Sequence, residues 1–544
     1  MSVPPSDGER ILVCLAWPYS NGSLHVGHLA GVYVPADIFA RFHRLRGNDV
    51  LMVSGSDEHG TPITVRAEKE GVSPAEVSRR YHDEFLGYWE RLGIGFDLYT
   101  RTGTENHRRV VQEFFLKLLD GGYLYKQAMI APYDPGAERF LPDRYVEGTC
   151  PYCGFENARG DQCDNCGRPL DPQQLINARS KLSGRPPEFR ETEHFFLDLP
   201  RLNAPLLEWA KRQTHWRPNV YNFTVNFLEQ GLQPRAITRD IGWGVPVPVE
   251  GFEDKRIYVW FEAVLGYLSA SVEWAAINGE PLAWERWWKE PSRSYYFIGK
   301  DNIFFHSIIW PGMLMAHEGL NLPYDVPANE FMNYEGQQFS KSRGIGIWVP
   351  ELLEQFAPDP IRYAIATNLP ENSDSDFSVS ELIRRNNDEL VATWGNLAHR
   401  TLTFLQRYFD GSVPEYGPLD MAVVERVDRG FAEVTAHLEA VHFKDTIREV
   451  MALAQFGNRY FDERAPWRQV KEDRRACANT LGTLLYLING LKMLFYPFLP
   501  HTSQQLHGLL GFADRLQDRG WGAEQVPAGQ SLPKPTPLFI KLEA

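Results

Sequence analysis

An unbroken apolar run opens the chain at Ile11-Leu12-Val13-Cys14-Leu15-Ala16. With no polar alternation, it predicts a strand buried on both faces of a parallel sheet. Pro18, Asn21 and Gly22 mark a loop. A helical pattern then runs from about His25 to Leu45, and a second buried strand follows at Val50 to Ser54. Strand, loop, helix, strand is a βαβ unit. Amphipathic helical spacing continues from Ser73 to about Gly122. Between about 123 and 240 the pattern breaks into loop-rich polar sequence with aromatic strands such as His194-Phe195-Phe196-Leu197, as expected of an insertion. Apolar runs at Ile257-Tyr258-Val259-Trp260 and Tyr295-Tyr296-Phe297-Ile298 predict the sheet's return, with Trp260 in its interior. Helical periodicity dominates from about Ser380 to about 510, and Leu538-Phe539-Ile540-Lys541-Leu542 reads as a late strand.

The predicted fold is therefore α/β: a Rossmann-type doubly wound parallel sheet interrupted by an insertion and followed by an all-α domain. The expected boundaries are 1–122 and 241–330 for the two halves of the sheet domain and 123–240 for the insertion. A linking region over 331–385, helices over 386–510 and a tail over 511–544 that packs back complete the division.

At 544 residues the chain is too long for one domain. No stretch is apolar enough to span a bilayer. Met1 to Arg10 lacks both a signal peptide's apolar core and a transit peptide's arginines, so the expected location is the cytoplasm. The net charge of −14 opposes wholesale phosphate binding but leaves room for a local basic groove.

Candidate chemistry falls in three places. Cys150-Pro151-Tyr152-Cys153 and Cys163-Asp164-Asn165-Cys166 form two C-x-x-C knuckles. Four thiolates with tetrahedral reach select one structural Zn²⁺; the competing readings are a redox pair or two disulfides. In the first βα loop, His25 and His28 share a helical face at an anion-favouring N-terminus. Two imidazoles there would suit a triphosphate, and Gly27 would let a flat base approach the backbone. A metal pair or an incidental surface pair is the alternative. Far downstream, Gln337-Gln338-Phe339-Ser340-Lys341-Ser342-Arg343-Gly344 is a basic loop whose lysine could neutralise leaving pyrophosphate; taken alone it is a solvated turn.

In combination and in this order, His25-Val26-Gly27-His28 and Gln338-Phe339-Ser340-Lys341-Ser342 resemble the two signatures of class I aminoacyl-tRNA synthetases, with Gln338 in place of the usual first lysine. Nearly the whole chain looks like a methionyl-tRNA synthetase, through Ala16-Trp17-Pro18-Tyr19-Ser20-Asn21-Gly22, Gly55-Ser56-Asp57-Glu58-His59-Gly60, Tyr258-Val259-Trp260-Phe261-Glu262-Ala263 with Gly266-Tyr267, and Phe297-Ile298-Gly299-Lys300-Asp301 with Phe305-His306. The resemblance implies ATP-dependent activation of L-methionine and transfer to tRNA(Met), including initiator tRNA, by a monomer, with Mg²⁺ accompanying ATP. It implies catalytic roles for His25, His28 and Lys341. ATP contacts would come from Gly27, Gly299, Asp301, Arg239, Ser340 and Ser342. The methionine pocket would use Tyr19, Asp57, Trp260, Ala263, Tyr267 and His306. Trp17, Val264 and Asn302 depart from the residues common in that family. The loop with Lys341 would lie in a stem-contact region, and the helices would read the anticodon through Asn396, Arg400 and Trp467. The small insertion, too short for a large editing domain, favours methionine over the branched-chain amino acids. A nucleotidyltransferase acting on a small metabolite and a catalytically silent tRNA-binding paralogue are the rival readings.

Overall fold

The computed structural model describes residues 8–142, 145–160, 163, 165, 170–337, 339 and 346–543. The opening apolar run is β1 (Arg10–Leu15). It is joined by β2 (Asp49–Ser56), β3 (Leu98–Arg101), β4 (Arg293–Gly299) and β5 (Ala328–Asn329). All pairings are parallel, in the order β5-β4-β1-β2-β3. The chain winds outward from β1 to β3, then returns on the other side of β1. That reversal opens a crevice at the carboxyl ends of β1 and β4, where doubly wound sheets bind ligands.

Pleating sorts β1 between two cores. Ile11, Val13 and Leu15 face one, Leu12 and Cys14 the other. The first core is continuous through the helix Val34–Leu45 into the C-terminal helices, taking in Leu397, Leu453 and Leu481. The second takes in helix Glu105–Asp120, the insertion's helices and the helix Val259–Ile277. A fully buried ion pair pins the two parts of the first core: Arg362 lies 2.7 Å from Asp37 and also donates to the carbonyls of Pro497 and Phe498. Burial alone would raise the Asp37 carboxyl, but Arg41 and Arg362 hold it below its ordinary value.

The insertion pairs Leu124–Asp134 antiparallel with Glu188–Leu197 and ends in α1 (Pro218–Glu229). A small sheet of Val146–Thr149, Ala158–Arg159 and Ile176–Ser180 carries the cysteines.

Three sequence expectations need correction. The helical stretch expected from Ser73 to Gly122 is two helices, Pro74–Leu92 and Glu105–Asp120, with β3 between them; Gly93, at φ 70°, ends the first. Val259-Trp260 is not strand. Only Arg256–Ile257 pairs, and Val259 begins α2 (Val259–Ile277). This helix is apolar nearly all round, so its run lacks the periodicity that separates helix from strand. Trp260 therefore stands half-buried in a first helical turn rather than in the sheet's interior. Leu538 to Leu542 form no strand, because side chains of Asn386 and Asn387 take the carbonyls of Ile540 and Leu542.

Candidate active site

Four segments converge on the crevice, and each leaves the carboxyl end of a strand or opens a helix. The loop after β1 delivers Tyr19, His25 and His28; the end of β2 delivers Asp57; the end of β4 delivers Gly299, Asp301 and His306. The opening turns of α2 deliver Trp260, Ala263 and Tyr267.

A cavity of about 40 Å³ is lined by Tyr19, Asp57, Trp260, Ala263, Tyr267 and His306, all six residues expected to hold the amino acid, together with Ala16, Trp17, Val264 and Asn302. One wall is rigidly wired. His306 Nδ1 lies 2.9 Å from the Asn302 carbonyl, which can only accept, so Nδ1 carries the proton. Nε2, 2.7 Å from the Tyr267 hydroxyl, then accepts. Burial lowers the His306 imidazole to about 4, keeping it neutral. The aromatic wall is Trp260, stacked on Phe305 at 4.2 Å, with Tyr19 edge-on to it at 6.2 Å. Trp17 fits because Gly55 and Gly266 flank it: a Cβ at either would lie 2.6 or 2.8 Å from the indole.

Asp57 is the anionic corner, 3% exposed. Burial and the nearby Glu262 carboxylate push it up to about 7, partly offset by the His59 backbone N–H that donates to it at 3.1 Å. His59 Nδ1 lies 2.8 Å from Glu262 Oε1; although burial works against its charge, Glu262 raises the His59 imidazole. This buried triad keeps a compact negative site beside the apolar cavity, the arrangement an α-ammonium needs.

His25 is the N-cap and His28 the third residue of the next turn; their rings are 3.9 Å apart, and the His25 N–H donates to His28 Nδ1 at 3.2 Å. Phe339 stacks on His25 at 4.0 Å and 5°. Gly27 is required by this packing, since a Cβ would meet His25 at 2.9 Å and Phe339 at 3.2 Å. Gln337 and Phe339 are the described residues of the basic loop; Lys341, Ser340 and Ser342 lie outside the described residues. Arg239 stacks over Tyr258 at 4.1 Å and lines a separate cavity of about 140 Å³ with His194 and Asp240.

A second face lies on the C-terminal helices. Asn396 and Arg400 project from α3 (Asn396–Tyr408) toward α4 (Phe443–Arg464). Asn396 reaches Asn458 at 3.4 Å; Arg400 pairs with Asp462 at 2.7 Å and covers Phe461 at 4.3 Å. Phe461 in turn lies 6.0 Å from Trp467, which is 41% exposed. The three residues singled out in the sequence thus share one surface. Each site also adjoins a π-helical segment, the kind of irregularity common at functional positions. Leu29–Tyr33 follows His28, Phe305–Ile309 contains His306, and Asn386–Gly395 precedes Asn396.

Cys150, Cys153 and Cys163 bring their sulfurs within 4.8 Å of one another, with Cys153 and Cys163 at 3.6 Å. Cys166 lies outside the described residues. The Asn165 amide and neighbouring backbone lower the Cys153 thiol to about 6, easing thiolate formation. The donor set and spacing fit a thiolate-bound metal. Among the described residues no helix is long and apolar enough to cross a membrane.

The residues that sequence reasoning did not assign to the cavity are Ala16, Trp17, Val264 and Asn302. Val264 and Asn302 adjoin the assigned Ala263 and Asp301 in sequence, while Ala16 and Trp17 precede Tyr19 in the loop after β1; Gly55 and Gly266 were the available sign that something large lay between them.

A sequence profile described as "tRNA synthetases class I (M)" matches residues 11–402, and one described as "Anticodon binding domain of methionyl tRNA ligase" matches 412–544. A methionine–tRNA ligase of Thermomicrobium roseum is 54% identical, over 98% of this chain and 97% of that protein. One from Dehalococcoides mccartyi is 56% identical over the same shares. A solved structure of Mycobacterium tuberculosis methionyl-tRNA synthetase in complex with methionyl-adenylate has a TM-score of 0.80 at 26% identity, covering 98% of this chain and 99% of that one.

Proposed function

The chain belongs to the methionyl-tRNA synthetases of class I, and from that premise we propose how its own residues carry out the family's reaction. It activates L-methionine with ATP to methionyl-adenylate and transfers the methionyl group to tRNA(Met), initiator tRNA included. The observation that supports the residue assignment best is the convergence of all six expected side chains on one cavity.

Methionine's thioether, soft and apolar, enters between Trp260, Tyr267 and His306, where sulfur–aromatic contacts favour it. Neutral His306, held by Asn302 and Tyr267, cannot repel the substrate ammonium by charge. Asp57 takes that ammonium. A carboxylate oxygen of methionine attacks the α-phosphorus of ATP, and pyrophosphate leaves. His25, His28 and Lys341 stabilise the charge that builds on the phosphates, with Mg²⁺ arriving on the nucleotide. Gly27, Gly299, Asp301, Arg239, Ser340 and Ser342 complete the ATP site. The 3′-terminal ribose hydroxyl of the tRNA then attacks the adenylate carbonyl; AMP departs and the hydroxyl proton is released. No protein nucleophile is needed.

Asn396, Arg400 and Trp467 read the anticodon by base-edge hydrogen bonds and stacking. Cys150, Cys153, Cys163 and Cys166 would hold one structural Zn²⁺, which supplies folding energy to a knot too small to hold itself together. Reduced, metal-spaced thiols suit the cytoplasm. One continuous core joins both functional parts within a single chain, which supports the monomer reading.

The test is Lys341→Ala. Methionine-dependent ATP–pyrophosphate exchange should fall by about 100-fold or more, the scale of losing one transition-state charge contact. Binding of tRNA should change by less than about twofold, since the anticodon is read through Asn396, Arg400 and Trp467 and not through Lys341. Equal loss of both would refute the role.

A further inference from the structure

The second step poses a problem that the anticodon face does not solve: the single-stranded 3′ end of the tRNA must be led to the adenylate. Unpaired nucleotides are held by aromatic planes and guanidinium groups, because every base offers a π face. The insertion carries such a surface. On α1, Phe223 and Phe227 sit one helical turn apart and stay 39% and 36% exposed. Their rings are 5.8 Å apart and inclined by 25°. Phe227 meets Phe304 at 5.0 Å, Phe304 meets Phe305 at 5.4 Å, and Phe305 stacks on Trp260 at 4.2 Å. An unbroken series of rings thus runs from an exposed helix face to the wall of the methionine cavity.

Two further features give the series a direction and a charge. The Thr224 hydroxyl, on the same helix, hydrogen-bonds the Ser307 hydroxyl at 2.7 Å, which ties α1 to the π-helical turn that bears His306. Arg235 lies over Phe304 and Phe305 at 5.5 and 5.6 Å, and among the described residues no carboxylate pairs with it. Asn222 and Asn226 are exposed beside the two phenylalanines, where amides can meet base edges. Simple core packing would bury Phe223 and Phe227; a protein-docking patch would not require continuity with the cavity or a guanidinium set on the rings.

We propose that Phe223, Phe227, Phe304 and Arg235 form the stacking path for the 3′-terminal unpaired nucleotides of the tRNA, delivering the terminal ribose to the adenylate beside Trp260. This rests on the synthetase reading of the cavity. On it, Phe223 and Phe227 act in transfer alone and leave activation untouched.

The experiment compares the wild-type enzyme with Phe223→Ala/Phe227→Ala and with Phe223→Tyr/Phe227→Tyr. Three quantities are read: methionine-dependent ATP–pyrophosphate exchange, single-turnover transfer from preformed methionyl-adenylate to tRNA(Met), and binding of that tRNA with and without its unpaired 3′ nucleotides. The proposal expects exchange within about twofold of wild type. It expects transfer to fall about 5- to 150-fold in the alanine variant, from the stacking of one base, and to recover in the tyrosine variant. It also expects the variant's binding defect to vanish on the shortened tRNA. Transfer unchanged in the alanine variant, exchange falling in step with transfer, or an equal binding defect on the shortened tRNA would each overturn it. Absence of methionine-dependent exchange in the wild type would instead overturn the underlying reading of the cavity, so the two failures are distinguishable.

Discussion

The methionine cavity and the anticodon face each set an aromatic ring beside a charged side chain, but to opposite ends. In the cavity, Tyr267, His306 and the Asn302 carbonyl form a chain of hydrogen bonds that fixes two of the rings, and Trp260 stacks on Phe305. On the anticodon face, Trp467 stands 41% exposed and Arg400 is occupied by Asp462. A small apolar side chain has few atoms with which to bind, so its site must be preorganised and dry. Splayed bases bring large planes and their own hydrogen bonds, so their site can stay open and exchange partners on binding. Preorganisation therefore belongs where the ligand is small.

The comparison breaks most sharply at Asp57. Asp57→Asn keeps the shape and removes the charge; methionine-dependent exchange should fall about 30- to 5,000-fold, as when a buried charge partner is lost at ~2–5 kcal/mol. Affinity for tRNA, measured by filter binding, should be unchanged. The converse variant, Trp467→Ala, should lower kcat/KM for tRNA about 5- to 150-fold, from ~1–3 kcal/mol of stacking, and leave exchange intact. Its melting temperature should hold, because the indole is largely outside the core.

A smaller effect separates the two sites by pH. Burial and Glu262 push Asp57 up to about 7, with Glu58 and His59 as its other charged neighbours. Only the ionised carboxylate pairs with an ammonium, so methionine affinity is full above that value and is lost as pH falls through it. The KM for methionine should rise by about tenfold per unit of pH below the transition, the limit for one proton. The KM for tRNA, whose face pairs Arg400 with Asp462 beside the uncharged Asn396, Phe461 and Trp467, should lack this inflection. A flat methionine profile would mean that Asp57 is not the ammonium partner.

The sequence made the sheet and the site legible for different reasons. β1 and β4 are continuous apolar runs bounded by loops, so burial on both faces could be read directly. The same signal misled at Val259-Trp260, because a helix buried all round leaves no polar stripe to reveal its period. The cavity residues were found through motif resemblance, since nothing local distinguishes Tyr267 from a core tyrosine. What motifs could not supply was the fit of Trp17 between Gly55 and Gly266, which depends on strands and a helix far apart in sequence. The π-helical turns were equally hidden, because one extra residue in a turn leaves no mark in hydrophobic periodicity.

The most direct test of this account is ATP–pyrophosphate exchange by the wild-type enzyme, run with methionine and, beside it, leucine, isoleucine, valine and cysteine. Exchange that depends on methionine, with the other four near background, is the predicted result. Exchange driven equally well by any of the other four would contradict the assignment of the cavity walled by Trp260, Tyr267 and His306.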